Sequence, residues 1–119
     1  MSLADSSFAD QPLADRACVP CRGGVLPLKG DALQTLGAEL PDWNVRDDHD
    51  LFRVYKFADF QTALDFVNRV GAVAEEQGHH PDLLLSWGKV EITIFTHSID
   101  GLAESDFVLA AKIERLHRN

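Results

Sequence analysis

The sequence predicts an α+β fold: a four-stranded antiparallel sheet with helices packed on one face, in the order α-β-β-α-β-β-α. Three observations carry this. Residues 59–78 repeat apolar side chains at helical spacing. Two stretches, WNVRDDHDLFRVYKF and DLLLSWGKVEITIFTH, alternate in strand fashion about short polar or glycine-containing turns. Helices and hairpins alternate along 119 residues with 45% apolar content, which suits a single domain with its own core.

The elements follow in order. Residues 1–29 are rich in Asp, Ser, Gly and Pro, show neither periodicity, and read as a flexible N-terminal arm; the folded domain is placed at 30–119. In GDALQTLGAELP, Asp31 is positioned to cap a short helix with Gln34 three residues on. Leu33, Leu36 and Leu40 share one side, and Pro41 forces the exit. Trp43 and Val45 alternate in a first strand, DDHD turns, and residues 52–57 supply aromatic and β-branched side chains for a second. In DFQTALDFVNRVGAVAEEQG, Asp59 caps a helix carrying Phe60, Ala63, Leu64, Val67, Val70 and Ala74 on one stripe, and Gly78 ends it. The second hairpin turns through Gly88. Val90, Ile92 and Ile94 form one face of its return strand, with Glu91, Thr93, Phe95 and His97 on the other. A last helix is expected over 104–116.

Composition narrows the function. The formal net charge is -8 with only 11 Lys and Arg, which disfavours nucleic acid as a partner. Apolar runs are strand-sized, so no membrane span is expected, and the first residues lack the apolar stretch of a signal peptide. The cytoplasm is the default location. Cys18 and Cys21, in CVPC, have the spacing of half a zinc site or a redox pair, but no second CxxC accompanies them. They read as reduced thiols on the arm. No glycine-rich phosphate loop follows a strand, and no GxSxG elbow is present.

The polar residues that fit a core badly cluster instead. His79 and His80 follow a helix C-terminus, whose partial negative charge favours an imidazolium. Glu75 lies one turn back, and His97 ends the strand that a hairpin returns to the same corner. Leu102, Asp106, Leu109, Ile113 and Leu116 form one helical stripe, so Asp106 needs a partner or a place in the first helical turn. Two functional readings remain open: a metal site of histidine and carboxylate, or a metal-free acid–base site. For HH alone, an incidental surface pair is commoner than either. Adjacent side chains diverge, so the acid–base reading ranks first and no metal is expected. His49 and His117 read as solvated.

These residues carry a resemblance to the pterin-4a-carbinolamine dehydratase family. Its pattern is an acid, three spacers, His-His-Pro, five spacers, an aromatic, nine spacers, His, then Asp. Here it reads Glu75, His79-His80-Pro81, Trp87, His97 and Asp106. The similarity covers roughly residues 30–116, and CVPCRGG resembles an extension on some bacterial and plant members. One departure is Ala103, where members commonly carry Thr; alanine lacks a capping hydroxyl, a loss of about 1 kcal/mol of helix stability.

The resemblance implies a hydro-lyase of tetrahydrobiopterin recycling that dehydrates 4a-hydroxytetrahydropterin to quinonoid dihydropterin without a cofactor. It implies that His79 and His97 exchange protons, that His80 holds the pterin, and that Glu75 and Asp106 orient imidazoles. Pro81 would stiffen the corner, and Trp87 and Phe95 would border the ring. It also implies a small-molecule pterin as partner and a homodimer or homotetramer. The rival reading is a protein-binding module without catalysis, since the mammalian member doubles as a dimerisation cofactor for a homeodomain transcription factor.

Overall fold

A computed structural model describes residues 11–19 and 26–118. Its helices are α1 (Asp31–Ala38), α2 (Phe60–Gln77) and α3 (Glu104–Arg118), and its strands are β1 (Asn44–Arg46), β2 (Asp50–Lys56), β3 (Asp82–Ser86) and β4 (Lys89–Ile94). Two short 3₁₀ turns, Leu13–Asp15 and His97–Ile99, complete the described elements. The sheet is wholly antiparallel in the order β1-β2-β4-β3, so the two hairpins meet through β2 and β4. This is the α+β arrangement, and the element order, that the sequence predicts.

The register explains which side chains enter the core. Leu51 pairs with Ile94, Tyr55 with Val90, and Leu83 with Ile92, placing all of these on the helix-covered face. Alternation sends Phe52, Val54, Glu91 and Thr93 to the other face. The core on this side of the sheet is filled by Ala63, Phe66 and Val70 of α2 and Phe107, Val108, Leu109 and Ile113 of α3, all fully buried. Arg53 also falls on the inner face by register, and its guanidinium pairs with the largely buried Glu114. Trp43 and Tyr55 donate to the same carboxylate, so three donors from the β1–β2 region meet one acceptor on α3.

The termini of α2 follow the chemistry of the sequence. The Asp59 side chain accepts from the Thr62 amide at 2.8 Å, and Gly78 takes the left-handed conformation with φ 65°. At α1 the expectation fails in detail. The cap position is Gly30, with φ 53°, and Asp31 is already the first helical residue, where its charge suits the helix dipole. Strand β4 stops at Ile94, so His97 begins a 3₁₀ turn rather than ending a strand.

Part of the segment read as a flexible arm is packed. Leu13 is buried in the core cluster, Lys112 donates to the Ala14 carbonyl at 2.8 Å, and Arg115 pairs with Asp15. A lone leucine among polar residues gives no periodicity, so its anchoring role is invisible without the groove that receives it. Among the described residues, no helix is long and apolar enough to cross a membrane.

Candidate active site

Gly78 lets the chain leave α2 sharply, and the two histidines that follow turn to different carboxylates. His79 Nε2 lies 2.6 Å from Asp106 Oδ1, while His80 Nε2 bonds Glu75 one turn back on α2. The two imidazoles therefore diverge, as adjacent side chains should. His79 is half-buried and His80 exposed.

Asp106 is the most constrained member. It is 0% exposed, yet every donor it needs is present. Oδ2 accepts from Thr96 Oγ1 and from the Ala103 amide, both at 2.8 Å, and Oδ1 takes the imidazole. The contact to Ala103 is half of a capping box: the third helical residue reaches back to the residue before the helix. Ala103 has no side-chain oxygen to return the bond, and the Asp106 amide donates to the Ala103 carbonyl at 3.1 Å; Thr96, two residues beyond β4, adds a hydroxyl donor to the carboxylate. The Thr96 backbone is fixed by pairing with Gly101. An ionised carboxylate only accepts, so His79 carries its proton on Nε2 and leaves Nδ1 unpartnered by any described residue.

The His97 carbonyl accepts from the Asp100 amide at 3.1 Å, while its imidazole makes no hydrogen bond to a described residue. Its ring lies against Phe95, with centroids 4.1 Å apart. His79, His80 and His97 line one open pocket of about 400 Å³, together with Pro81, Asp82, Phe95, Thr96 and Ser98. The convergence expected at this corner is thus present for three imidazoles, with Glu75 and Asp106 behind two of them. Phe95 borders the pocket and Pro81 forms part of its wall.

Trp87 does not join them. It sits in the β3–β4 turn, 72% exposed, five residues along an extended strand from Asp82 and so roughly 16 Å away. Motif spacing fixes its place in the hairpin, and the hairpin carries it to the opposite end of the sheet.

One residue was misread as solvated. His49 bonds Asp100 at 2.7 Å and Asp50 at 3.1 Å, and its ring lies 4.5 Å from Phe95. The Asp50 and Asp100 carboxylates raise its pKa above the usual histidine value. The clue was its place in an acidic turn, but its partner lies 51 residues away and only the fold reveals it. His117 is exposed at its edge, yet its ring lies 4.6 Å from Tyr55.

Metal-ligand chemistry is not assembled here. Among the described residues no group of three or more His, Cys, Asp or Glu side chains is gathered as a metal would require. Cys18 is half-buried with its sulfur 3.5 Å from the Ser105 carbonyl, and burial pushes its thiol up to about 11. Cys21 lies outside the described residues.

A family profile described as Pterin 4 alpha carbinolamine dehydratase matches residues 26–116. The chain belongs to that family. It is a family of hydro-lyases, and relatives agree with the assignment. A Rubrobacter xylanophilus protein, provisionally named a pterin-4-alpha-carbinolamine dehydratase, is 62% identical over 104 residues, covering 87% of this chain and 97% of its own. A protein of the same provisional name from Alkaliphilus metalliredigens is 52% identical, over 87% of this chain and 94% of its own. With so few residues after 116, alignments of that length extend well into the segment before residue 26. The crystal structure of a transcriptional coactivator/pterin dehydratase from Brucella melitensis superposes with a TM-score of 0.71 at 30% identity, over 76% of this chain and 97% of that one. A pterin dehydratase-like protein identified as a RuBisCO assembly factor in the alpha-carboxysome shares the fold, with a TM-score of 0.55 at 23% identity over 63% of this chain and 88% of that one.

Proposed function

We propose that the chain dehydrates 4a-hydroxytetrahydropterin to quinonoid dihydropterin by histidine acid–base chemistry, serving tetrahydrobiopterin recycling. One observation carries the reading: three imidazoles line a single open pocket, and one of them is backed by a fully buried carboxylate. The reaction removes water across C4a and N5. Hydroxide leaves poorly, so an acid protonates the 4a oxygen as the C–O bond breaks. A base takes the N5 proton as the C4a=N5 bond forms. Imidazole, with an ordinary pKa of about 6.5, suits both steps near neutrality.

In this reading His79 works through Nδ1, since Asp106 occupies Nε2. The carboxylate holds the ring in one orientation and one tautomer. His97 exchanges protons from the other wall of the pocket, with Phe95 behind its ring. His80 grips the pterin while Glu75 holds its imidazole. No step calls for a metal or organic cofactor. A homodimer or homotetramer is part of the proposal; β3 is an edge strand, and Leu84 and Trp87 on it and its turn are exposed.

Stopped-flow dehydration of synthetic 4a-hydroxytetrahydropterin tests the reading. The wild-type chain is expected to accelerate water loss, and the His79→Ala/His97→Ala variant to be nearly inactive. A folded wild-type chain that leaves the spontaneous rate unchanged would sink it. The second reading, protein binding without catalysis, would then stand, motivated by the coactivator and assembly-factor roles in the names of the two structural neighbours.

A further inference from the structure

His79 and Asp106 meet from two helix ends. His79 follows the last turn of α2, and Asp106 lies in the first turn of α3. Helix ends are where backbone groups lack intrahelical partners and where fraying begins. The imidazole–carboxylate contact of 2.6 Å needs both ends held in fixed relation.

Residues 16–19 cross the outside of both. The Cys18 amide donates to the Gln77 side-chain oxygen at 2.9 Å, and Gln77 is the last residue of α2. One residue further, Val19 and Ser105 exchange two bonds. The Val19 amide donates to Ser105 Oγ at 2.7 Å, and that hydroxyl donates to the Val19 carbonyl at 2.9 Å. Ser105 is 6% exposed and immediately precedes Asp106. Arg16 pairs with Glu104 at 3.0 Å, the first residue of α3. Further along, the Leu28 amide donates to the Leu102 carbonyl at 2.8 Å. Thus the residues leading into Asp106, Leu102, Glu104 and Ser105, are each held from the N-terminal segment, and the 18–19 contact is shared with the end of α2.

We infer that residues 16–19 are a brace that positions His79 against Asp106, with the Gln77 and Ser105 side chains as its anchors. Neither anchor lines the pocket, so each acts through its neighbour: Gln77 through the His79 corner and Ser105 through Asp106. Ser105 suits the role because a hydroxyl both donates and accepts, satisfying both polar groups of one residue of extended chain. The extension of the relatives' alignments into this segment fits a part of the working domain rather than a tether. The catalytic consequence rests on the proposed dehydratase reading; the structural consequence does not.

The test uses the full chain carrying Gln77→Met and Ser105→Ala, which delete the polar anchors at similar volume. Imidazole nitrogen NMR resonances of His79 and His80 are recorded without substrate, and kcat and KM are measured well below the thermal midpoint. The brace predicts shifted or broadened His79 resonances with those of His80 unmoved. It predicts kcat down about tenfold, less than the roughly 10²-fold that a 1 Å misplacement can cost, with KM little changed. Ser105→Thr, which keeps the hydroxyl, should restore both signals. Unchanged His79 resonances in the folded double variant would overturn the inference, as would a kcat per folded molecule equal to wild type. Should the double variant fail to fold, each single variant is read by the same two criteria. Absence of dehydratase activity in the wild type would remove the proposed function, while the NMR comparison would still decide the brace.

Discussion

Replacing Asp106 by Asn isolates the electrostatic part of the site. The side chains are nearly isosteric, so the buried position stays filled. Oδ2 of Asp106 accepts from two donors, Thr96 Oγ1 and the Ala103 amide. In the variant the amide oxygen takes that place, which turns the NH₂ group towards His79. His79 Nε2 must then accept rather than donate. Its proton moves to Nδ1, the tautomer is reversed, and the imidazolium loses its counter-charge. A hydrogen bond to a charged group is worth about 1.5–3 kcal/mol, so the loss corresponds to about 10- to 100-fold in rate. Stopped-flow kinetics should show this fall in kcat with KM little changed, while urea unfolding shows only a modest loss of stability. Asp106→Ala should behave differently, since it strands two donors in the core and destabilises by about 2–5 kcal/mol. If Asp106→Asn retained wild-type kcat and pH profile, the carboxylate would not be acting through His79, and the tautomer argument would be wrong.

Three further outcomes are expected. The 4a carbon is a stereocentre, so His79→Ala and His97→Ala should each impair mainly one hydroxyl epimer, by the roughly 10²–10⁴-fold typical of a lost general acid or base, whereas His80→Ala should chiefly raise KM; kinetics with separated epimers would show it. His49 has its folded-state pKa raised by Asp50 and Asp100, so its contribution is complete below the ordinary histidine pKa and is lost as pH rises through the raised value. The stability gap between wild type and His49→Gln, read from urea midpoints, should therefore be larger at acid than at alkaline pH, and a gap independent of pH would refute it. Gly78→Ala meets no atom within 4 Å but keeps φ 65°, so it should cost about 1 kcal/mol in thermal unfolding.

How far the sequence could be read depended on whether a partner was local. Asp59 and Gly78 act at the ends of their own helix, and their roles were plain from spacing. The histidine corner was legible because a helix end and a hairpin return bring His79, His80 and His97 together over short connections. Asp106 announced itself as a carboxylate in an apolar stripe, but its link to Thr96 needed the 3₁₀ turn and the Thr96–Gly101 bridge. Trp87 shows the reverse error, for motif membership says nothing about direction along a hairpin. His49 and Leu13 were missed because Asp100 and the α3 groove lie far along the chain. An amphipathic period cannot encode such contacts.

The Glu114 cluster has a consequence for how reliably β2 finds its place. Its three donors come from Trp43 before β1 and from Arg53 and Tyr55 on β2. Alternation makes Arg53 and Tyr55 face inward together. A one-residue slip of β2 would turn both outward and send Phe52 and Val54 inward, an exchange that apolar burial alone would partly tolerate. Glu114 would not tolerate it. A carboxylate in the core deprived of its donors costs about 3–5 kcal/mol, enough to empty most of the misaligned population. This acid on the final helix therefore serves as a proofreading contact for the hairpin, rejecting a mispaired sheet when α3 docks.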